Sequence, residues 1–195
     1  MSSPILEVKS VSKSFGNVKA LDSVDFYLEK GIVHGLLGEN GAGKSSLMNV
    51  LSGIYIPESG TIKIKNQQIE KMNPDIASSL GVGMVHQEFR LIESFTIKDN
   101  LTLSKASIFY DNFEEAYEKY SEIFTLNSSY LTPINELSVG EKQKVEIMKL
   151  IFKNSEIMLL DEPTAVLTPQ ETSQLRESLE KLSQEDEKTI VLITH

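Results

Sequence analysis

The chain has 195 residues, of which 40% are hydrophobic, and this length is sufficient to bury one substantial core. The formal net charge of −9 disfavours binding to nucleic-acid phosphates, and no basic stripe offsets it, so we expect no nucleic-acid partner. No apolar run approaches the length of about 18 residues that a membrane span requires, and the first residues lack the layout of a secretory signal. The absence of cysteine excludes disulfides and thiolate metal sites and fits a cytoplasmic protein.

Runs of strand length that are rich in Val, Ile and Leu alternate along the chain with segments of helical periodicity. The runs at 156–163 and 188–195 are apolar throughout, which is typical of strands buried between helices in a parallel α/β sheet. We predict helices over 44–52, from Pro74 onward and over 169–184. The strand-like runs are 5–11, 24–30, 32–38, 61–69, 81–85, 156–163 and 188–195.

The middle of the chain, residues 88–151, changes in character. Several of its segments have helical spacing, and none has a convincing strand pattern. We therefore predict a helical insertion at 88–151 into a unit formed by 1–87 and 152–195. A buried strand such as 188–195 normally leads into further structure, so we expect the chain to be part of a longer polypeptide.

A glycine-rich loop follows the third strand-like run and precedes a helix. It matches the pattern G-x-x-x-x-G-K-[ST], whose glycines let bare backbone N–H groups approach phosphate oxygens at a helix N-terminus. In this pattern Lys44 reaches the β and γ phosphates of a nucleotide, and the Ser45 hydroxyl binds Mg²⁺. The alternative is a glycine turn that only caps a helix. The candidate nucleotide-binding residues are Gly38, Glu39, Asn40, Gly41, Ala42, Gly43, Lys44, Ser45 and Ser46.

An acidic pair, Asp161 and Glu162, ends the apolar run at 156–163. Such a pair can direct one carboxylate to a metal ion and the next to an attacking water. An acidic pair after a strand is more often a helix cap or a solvated turn, but the glycine loop favours the site interpretation here. We predict that Asp161 is a metal ligand and that Glu162 is a catalytic base.

The segment LSVGEKQKVEI, residues 137–147, lies between the loop and the acidic pair. Its order and position resemble the signature segment of ABC-transporter ATPases. The sequences around the motifs are similar to those of the first nucleotide-binding half of simple-sugar and nucleoside importers. The resemblance implies an α/β P-loop NTPase of ABC type. Its ATP-binding core, 1–87 and 152–195, would have a mainly parallel sheet and an antiparallel β subdomain, and 88–151 would be the helical signature subdomain.

The resemblance implies roles for two further residues near the nucleotide. Phe15 matches the aromatic residue that stacks on adenine, although a core phenylalanine is the alternative. Gln87 matches the glutamine that contacts Mg²⁺ and water and signals to the membrane subunit. Without the resemblance, Gln87 would be an ordinary polar surface residue.

Ser138 and Gly140 match signature residues that bind the γ-phosphate held by the opposite nucleotide-binding half. Ser138 and Glu141 also form a capping-box pattern, and both interpretations can hold at once. His195 matches the histidine that contacts the γ-phosphate and the catalytic water, while a surface histidine is the alternative. Lys44, Gln87, Glu162 and His195 are therefore the expected catalytic residues, with ATP and Mg²⁺ bound.

Three residues depart from the general family pattern. Val139 replaces a glycine, Glu141 replaces a glutamine, and Thr168 stands where aspartate is common. A carboxylate at 141 would repel a triphosphate unless it pointed away, so we expect this signature to serve its partner site weakly. Thr168 is expected to alter coupling at the dimer interface. The three changes also suggest an alternative function, a nucleotide-gated binding module that scarcely hydrolyses ATP.

The resemblance also implies partners and a location. A second nucleotide-binding half would pair head to tail with this one, permease subunits would bind it at the cytoplasmic face of the membrane, and an extracytoplasmic solute-binding protein would act indirectly. The rival interpretation is a soluble ABC-type ATPase that acts on nucleic acid or ribosomes. Its site chemistry would be the same, so only the partner surface distinguishes the two.

Overall fold

A computed structural model describes residues 3–103 and 112–194. The strands are β1 (Leu6–Phe15), β2 (Val18–Leu28), β3 (Val33–Leu36), β4 (Ser59–Ile64), β5 (Gln67–Ile69), β6 (Val82–Val85), β7 (Ile157–Asp161) and β8 (Thr189–Ile193). The helices are α1 (Lys44–Leu51), α2 (Pro74–Ser79), α3 (Ile97–Thr102), α4 (Phe113–Ile123), α5 (Val139–Phe152) and α6 (Pro169–Glu185), with a 3-10 turn at Ile134–Glu136. In these two ranges, no helix has the length and hydropathy needed to cross a membrane.

The strands form two sheets. One is antiparallel with the order β2-β1-β4-β5, and the other has the order β3-β8-β7-β6 with parallel pairing throughout. The expected α/β class, with a parallel sheet and an antiparallel sheet, is confirmed.

Strand β7 is one of the two central strands of the parallel sheet, and all five of its residues are buried. Successive side chains point to opposite faces of a strand, so Leu159 packs in one hydrophobic cluster while Met158 and Leu160 pack in another. The first cluster includes α1 and the antiparallel sheet, and the second includes α5 and α6. The uninterrupted apolar run at this strand therefore reflects burial on both faces.

The antiparallel sheet extends further toward the glycine loop than the sequence indicates. We predicted a strand only from Val24, but β2 begins at Val18, where Phe15 pairs with Val18 across a tight turn. The first residues of β2 are largely exposed and lack a clear apolar alternation, which explains why the pattern is weak there. The first residues of β2 therefore lie beside the glycine loop.

The described part of 88–151 contains helices and one isolated bridge between Thr96 and Pro133, and no strand. Its core is aromatic: the rings of Phe113 and Phe152 lie 5.4 Å apart, and Tyr120 lies 6.2 Å from Phe152. Helix α5 carries Phe152 at its end and therefore connects this cluster to the parallel sheet.

The carboxyl ends of β3, β6 and β7 lie at one edge of the parallel sheet because all the strands run in the same direction. The loop before α1 follows β3, Gln87 follows β6, and Glu162 follows β7. This edge is where open α/β sheets bind ligands.

Candidate functional site

The glycine loop joins β3 directly to α1. Gly41 and Gly43 have φ values of 82° and 89°, a conformation that glycine adopts without a steric penalty. A Cβ at Gly43 would also lie 2.3 Å from the carbonyl oxygen of Ala20 in β2. Glycine is therefore required at Gly43 for two reasons, its backbone angle and the close approach of β2.

Lys44 is held against the loop that precedes it. Its Nζ donates to the carbonyl oxygens of Gly38, at 2.6 Å, and Glu39, at 2.9 Å, and the residue is only 9% exposed. The ammonium group is therefore directed back over the loop and not into solvent. Phosphate oxygens that entered the loop could replace these two carbonyl acceptors, since charge-assisted hydrogen bonds are the stronger ones.

Ser45 and Asp161 lie 116 positions apart in the sequence and are hydrogen-bonded in the fold. The Ser45 hydroxyl donates to Asp161 Oδ1 at 3.2 Å. Burial raises the pKa of the Asp161 carboxyl, and the negative charge of Glu162 adds to this effect, while the Ser45 hydrogen bond opposes it. An adjacent cation would offset the burial of this carboxylate.

The donor set of this pair fits Mg²⁺. Hydroxyl and carboxylate oxygens are ligands that Mg²⁺ prefers, and this ion is commonly held by one or two protein groups together with substrate phosphates and water. Among residues 3–103 and 112–194, no group of three or more His, Cys, Asp or Glu side chains could hold a metal alone. A magnesium ion at Ser45 and Asp161 would thus depend on phosphate oxygens from the loop.

A cleft of about 510 Å³ lies over the loop and α1. The loop from Asn40 to Ser46 forms one wall, and Gln87 and Glu162 contribute from the ends of neighbouring strands. Glu162 has a φ of 51°, which costs a non-glycine residue about 1–2 kcal/mol. Such strain is found at functional sites, where the surrounding structure holds the residue in place.

Three residues of β2, Val18 to Ala20, also line the cleft, and the sequence analysis missed them. No motif marks them, because they reach the loop only through the tertiary contact between Ala20 and Gly43.

Phe15 pairs with Val18 and is 42% exposed, with its ring centroid 4.9 Å from that of Tyr55. The core alternative for Phe15 is therefore wrong, because its side chain is exposed next to a strand residue that lines the cleft.

Ser138 and Gly140 lie elsewhere on the molecule. Ser138 caps α5, and its hydroxyl accepts from Glu141 N at 3.3 Å while Glu141 Oε2 accepts from Ser138 N at 2.9 Å. The predicted capping box is confirmed. Gly140 is buried, and a Cβ there would lie 2.5 Å from Glu171 Oε1. Among the described residues that line the loop cleft, none comes from 138–140, so one chain does not bring its own signature and loop together.

Glu141 has both carboxylate oxygens engaged. Ser128 Oγ donates to Oε1 at 2.6 Å, and Ser138 donates to Oε2. Burial alone would raise the pKa of this carboxyl, but the hydrogen bonds from Ser128 and Ser138 together lower it. The carboxylate of Glu141 is thus directed into the cap of its own helix. His195, the remaining predicted site residue, lies outside the described residues.

Comparison with known proteins identifies the family. Residues 21–165 match the ABC transporter family, and this range includes the glycine loop, the signature segment and the acidic pair. The chain belongs to the ABC transporter family. The expected P-loop NTPase fold of ABC type is confirmed, and so is the resemblance to importer ATPases.

Several relatives align over nearly the whole chain. It is 40% identical to the nucleoside import ATP-binding protein of Lactococcus lactis subsp. cremoris over 98% of its length, and 42% identical to the galactose/methyl galactoside import ATP-binding protein of Clostridium perfringens over 100%. The chain spans 38% of the length of each of these two relatives.

Solved structures of the ABC family match the whole fold. An ATP-binding cassette of an ABC transporter in its ADP conformation aligns with a TM-score of 0.87 and 28% identity, over 100% of this chain and 82% of that chain. A bacterial ABC transporter cassette solved as a dimer aligns with a TM-score of 0.84 and 27% identity, over 97% of this chain and 88% of that chain.

We expect Gly43→Ala to lower the free energy of unfolding more than Gly41→Ala does. Both residues have positive φ, so both variants incur a penalty of about 1–2 kcal/mol. Only the alanine at 43 would collide with β2, whereas nothing lies within 4 Å of the corresponding Cβ at 41. Urea unfolding of the parent and both variants measures the difference. Equal losses would mean that the loop moves away from β2 without cost.

We expect Asp161→Asn to raise the free energy of unfolding near neutral pH, because it removes a carboxylate whose ionisation is disfavoured by burial. The folded pKa of Asp161 is raised above its ordinary value of 3.8, so the folded state takes up the proton first as the pH falls. The advantage of the variant should therefore shrink as the pH falls through the raised pKa. Urea unfolding between acid and neutral pH tests this, and a pH-independent difference would contradict it.

Proposed function

We propose that the chain is a nucleotide-binding half of an ABC importer, which binds and hydrolyses ATP to energise transport. The observation that carries this proposal is the cleft in which the loop before α1, Lys44, Gln87 and Glu162 meet at one edge of the parallel sheet. Family membership supports ATP as the ligand. We further propose the division into an ATP-binding core, 1–87 and 152–195, and a helical subdomain, 88–151.

The phosphates of ATP bind the loop backbone from Gly38 to Ser46 at the N-terminus of α1. Lys44 exchanges its two carbonyl acceptors for β- and γ-phosphate oxygens, and adenine stacks on the exposed ring of Phe15. Ser45, Asp161 and Gln87 are the residues that would hold Mg²⁺, and this ion supplies positive charge that neutralises the phosphate oxygens.

Glu162 orients and polarises a water molecule for in-line attack on the γ-phosphorus. Its carboxylate accepts a hydrogen bond from the water, which increases the electron density on the attacking oxygen. Lys44 and His195 stabilise the charge that spreads over the equatorial oxygens of the transferring group. The positive φ of Glu162 supports this role, because it fixes the direction of the side chain at the end of β7.

A second nucleotide-binding half completes the site. Ser138 is exposed at the N-terminus of α5 and is remote from its own loop, which supports a head-to-tail arrangement in which each signature contacts the nucleotide of the other half. The dimeric ABC cassette among the similar structures also supports it. Since Glu141 is bound into the cap, the hydroxyl of Ser138 and the N–H of Gly140 would face the γ-phosphate.

The transported solute is a simple sugar or a nucleoside. This is supported by the relatives at 40% and 42% identity, which are named for nucleoside and galactose import. The chain would lie peripherally at the cytoplasmic face of the membrane, bound to permease subunits, and a solute-binding protein would act on the outer side. The acidic balance of 28 Asp and Glu against 19 Lys and Arg disfavours the rival role on nucleic acid or ribosomes.

We expect Glu162→Gln to bind ATP as the parent does and to lower turnover by about 10²–10⁴-fold, because the amide no longer accepts the water proton. Calorimetry and phosphate release in the assembled complex measure the two quantities. Glu180→Gln, on the solvent side of α6, is the matched control and should leave both unchanged. Parent-like turnover in Glu162→Gln would exclude the proposed base. A parent that binds ATP but scarcely turns over would favour the nucleotide-gated module.

We expect the full-length protein to co-purify with a membrane permease from detergent extracts. A subunit that energises transport must contact its permease, and we expect this complex to survive a salt wash that removes weakly bound polyanions. Co-sedimentation with ribosomes is measured in parallel. Ribosome binding without a permease would favour the rival function and exclude the transport role.

A further inference from the structure

One face of α5 follows the chain that comes just after Gln87. Lys142, Glu146 and Lys149 are spaced at i, i+4 and i+7, so they lie on the same side of the helix. Lys142 Nζ lies 2.9 Å from Glu93 Oε1. Glu146 and Lys149 both bind the main chain of Arg90. The segment 90–93 is therefore attached along α5 by three side chains.

The Arg90 peptide groups are held on both sides. Arg90 N–H donates to Glu146 Oε1, and Lys149 Nζ donates to the Arg90 carbonyl oxygen at 2.7 Å. Glu146 and Lys149 also pair with each other at 3.3 Å. The main-chain groups of a loop residue normally form such hydrogen bonds with water. Those of Arg90 form them with an ion pair on a neighbouring helix.

The ion pair is buried. The side chains of Glu146 and Lys149 are 7% and 14% exposed, and Val145, Ile147 and Met148 around them are fully buried. Two apolar side chains of similar volume would stabilise such a position as well or better, because removing two charges from water is costly. A buried ion pair adds little net stability, and in some proteins it fixes one specific arrangement instead. The arrangement fixed here is the position of Arg90 relative to α5.

The same segment is also fixed from α3. Asn100 is 3% exposed, and its Oδ1 accepts from Ile92 N at 2.8 Å while its Nδ2 donates to Ile92 O at 3.2 Å. The backbone N–H and C=O groups of Arg90 and Ile92, two residues apart, are thus held by buried polar side chains of two helices. Gln87 lies only three residues before Arg90.

We propose that Glu146 and Lys149 are positioning residues that make Gln87 move together with α5. This inference rests on the proposed function, in which Gln87 contributes to the metal site and Ser138 at the other end of α5 contacts the nucleotide of the second half. A shift of α5 on contact with that nucleotide is passed through the Arg90 peptide to Gln87. The buried pair therefore connects the two ATP sites of a dimer through one rigid helix.

The first test is amide hydrogen exchange at Arg90, resolved by NMR on the full chain without nucleotide. Glu146→Ala should speed exchange of this amide by about tenfold or more, which is the equilibrium equivalent of one lost hydrogen bond to a charged group. Glu146→Gln keeps an acceptor oxygen and should stay within about threefold of the parent. Lys142→Ala is the matched control on the same face. It removes only the contact with the Glu93 side chain, so it should leave amide exchange at Arg90 unchanged.

A double variant separates positioning from stability. Glu146→Met with Lys149→Met replaces the ion pair by apolar side chains, so it should fold with a free energy of unfolding near that of the parent and should still lose the protection at Arg90. Unchanged exchange at Arg90 in this variant would overturn the proposal. Faster exchange throughout α5 and β7, equal to that at Arg90, would also overturn it, because the pair would then act only on global stability.

The second test measures ATP turnover by the double variant in the assembled complex. We expect kcat to fall about tenfold while KM for ATP stays within about twofold, since Gln87 is displaced but the loop before α1 is intact. A parent-like kcat would overturn the coupling. If the parent itself does not hydrolyse ATP, the proposed function fails, while the exchange result still decides whether Glu146 and Lys149 position the segment.

Discussion

The burial of β7 between two layers is the constraint on which the site depends. Its five residues are all buried, and they pair in parallel with β6 on one side and β8 on the other. This pairing brings Asp161 to the hydroxyl of Ser45, although 116 positions separate them. The loop, Gln87 and Glu162 share one cleft only because the strands before them run in the same direction through this sheet.

The site lowers stability in return for function. Asp161 is 8% exposed with a carboxyl whose ionisation burial disfavours, and Glu162 has a strained backbone angle. Lys44 is 9% exposed, and its charge is balanced by two carbonyl dipoles. The charges of Asp161 and Lys44 would be stabilised by a ligand that carries a cation and phosphate. The site is thus prepared for charge that the protein alone does not supply.

Local patterns were sufficient for the features that local chemistry determines. The loop before α1, the acidic pair after β7 and the cap formed by Ser138 and Glu141 each depend on a few adjacent residues, and the structure has all three. The features that depend on distant contacts could not be predicted from the sequence. Val18 to Ala20 line the cleft because the Ala20 carbonyl meets Gly43, and nothing in their sequence indicates this.

Glu146 is an intermediate case. A charged pair at i and i+3 inside the apolar run VEIMKLIF is itself a signal, because charged side chains rarely occupy buried helix positions without a specific partner. That partner, the main chain of Arg90, is 56 positions away and belongs to a loop, so only the fold identifies it. The sequence therefore marks the residue but not its contact.

The first turns of α5 and α6 account for two of the three departures from the family pattern, Glu141 and Thr168. Glu141 and Glu171 are the acidic members of two capping boxes, with Ser138 and Thr168 as the caps. Glu171 Oε1 would lie 2.5 Å from a Cβ at Gly140, so the cap of α6 packs directly on the first turn of α5. A side chain at 140 would therefore displace the Glu171 carboxylate from its place over the first turn of α5, whether or not the Gly140 N–H binds a phosphate. Because Thr168 caps α6 as an aspartate would, its substitution preserves the packing of these two helices and removes only one negative charge from the surface near the signature.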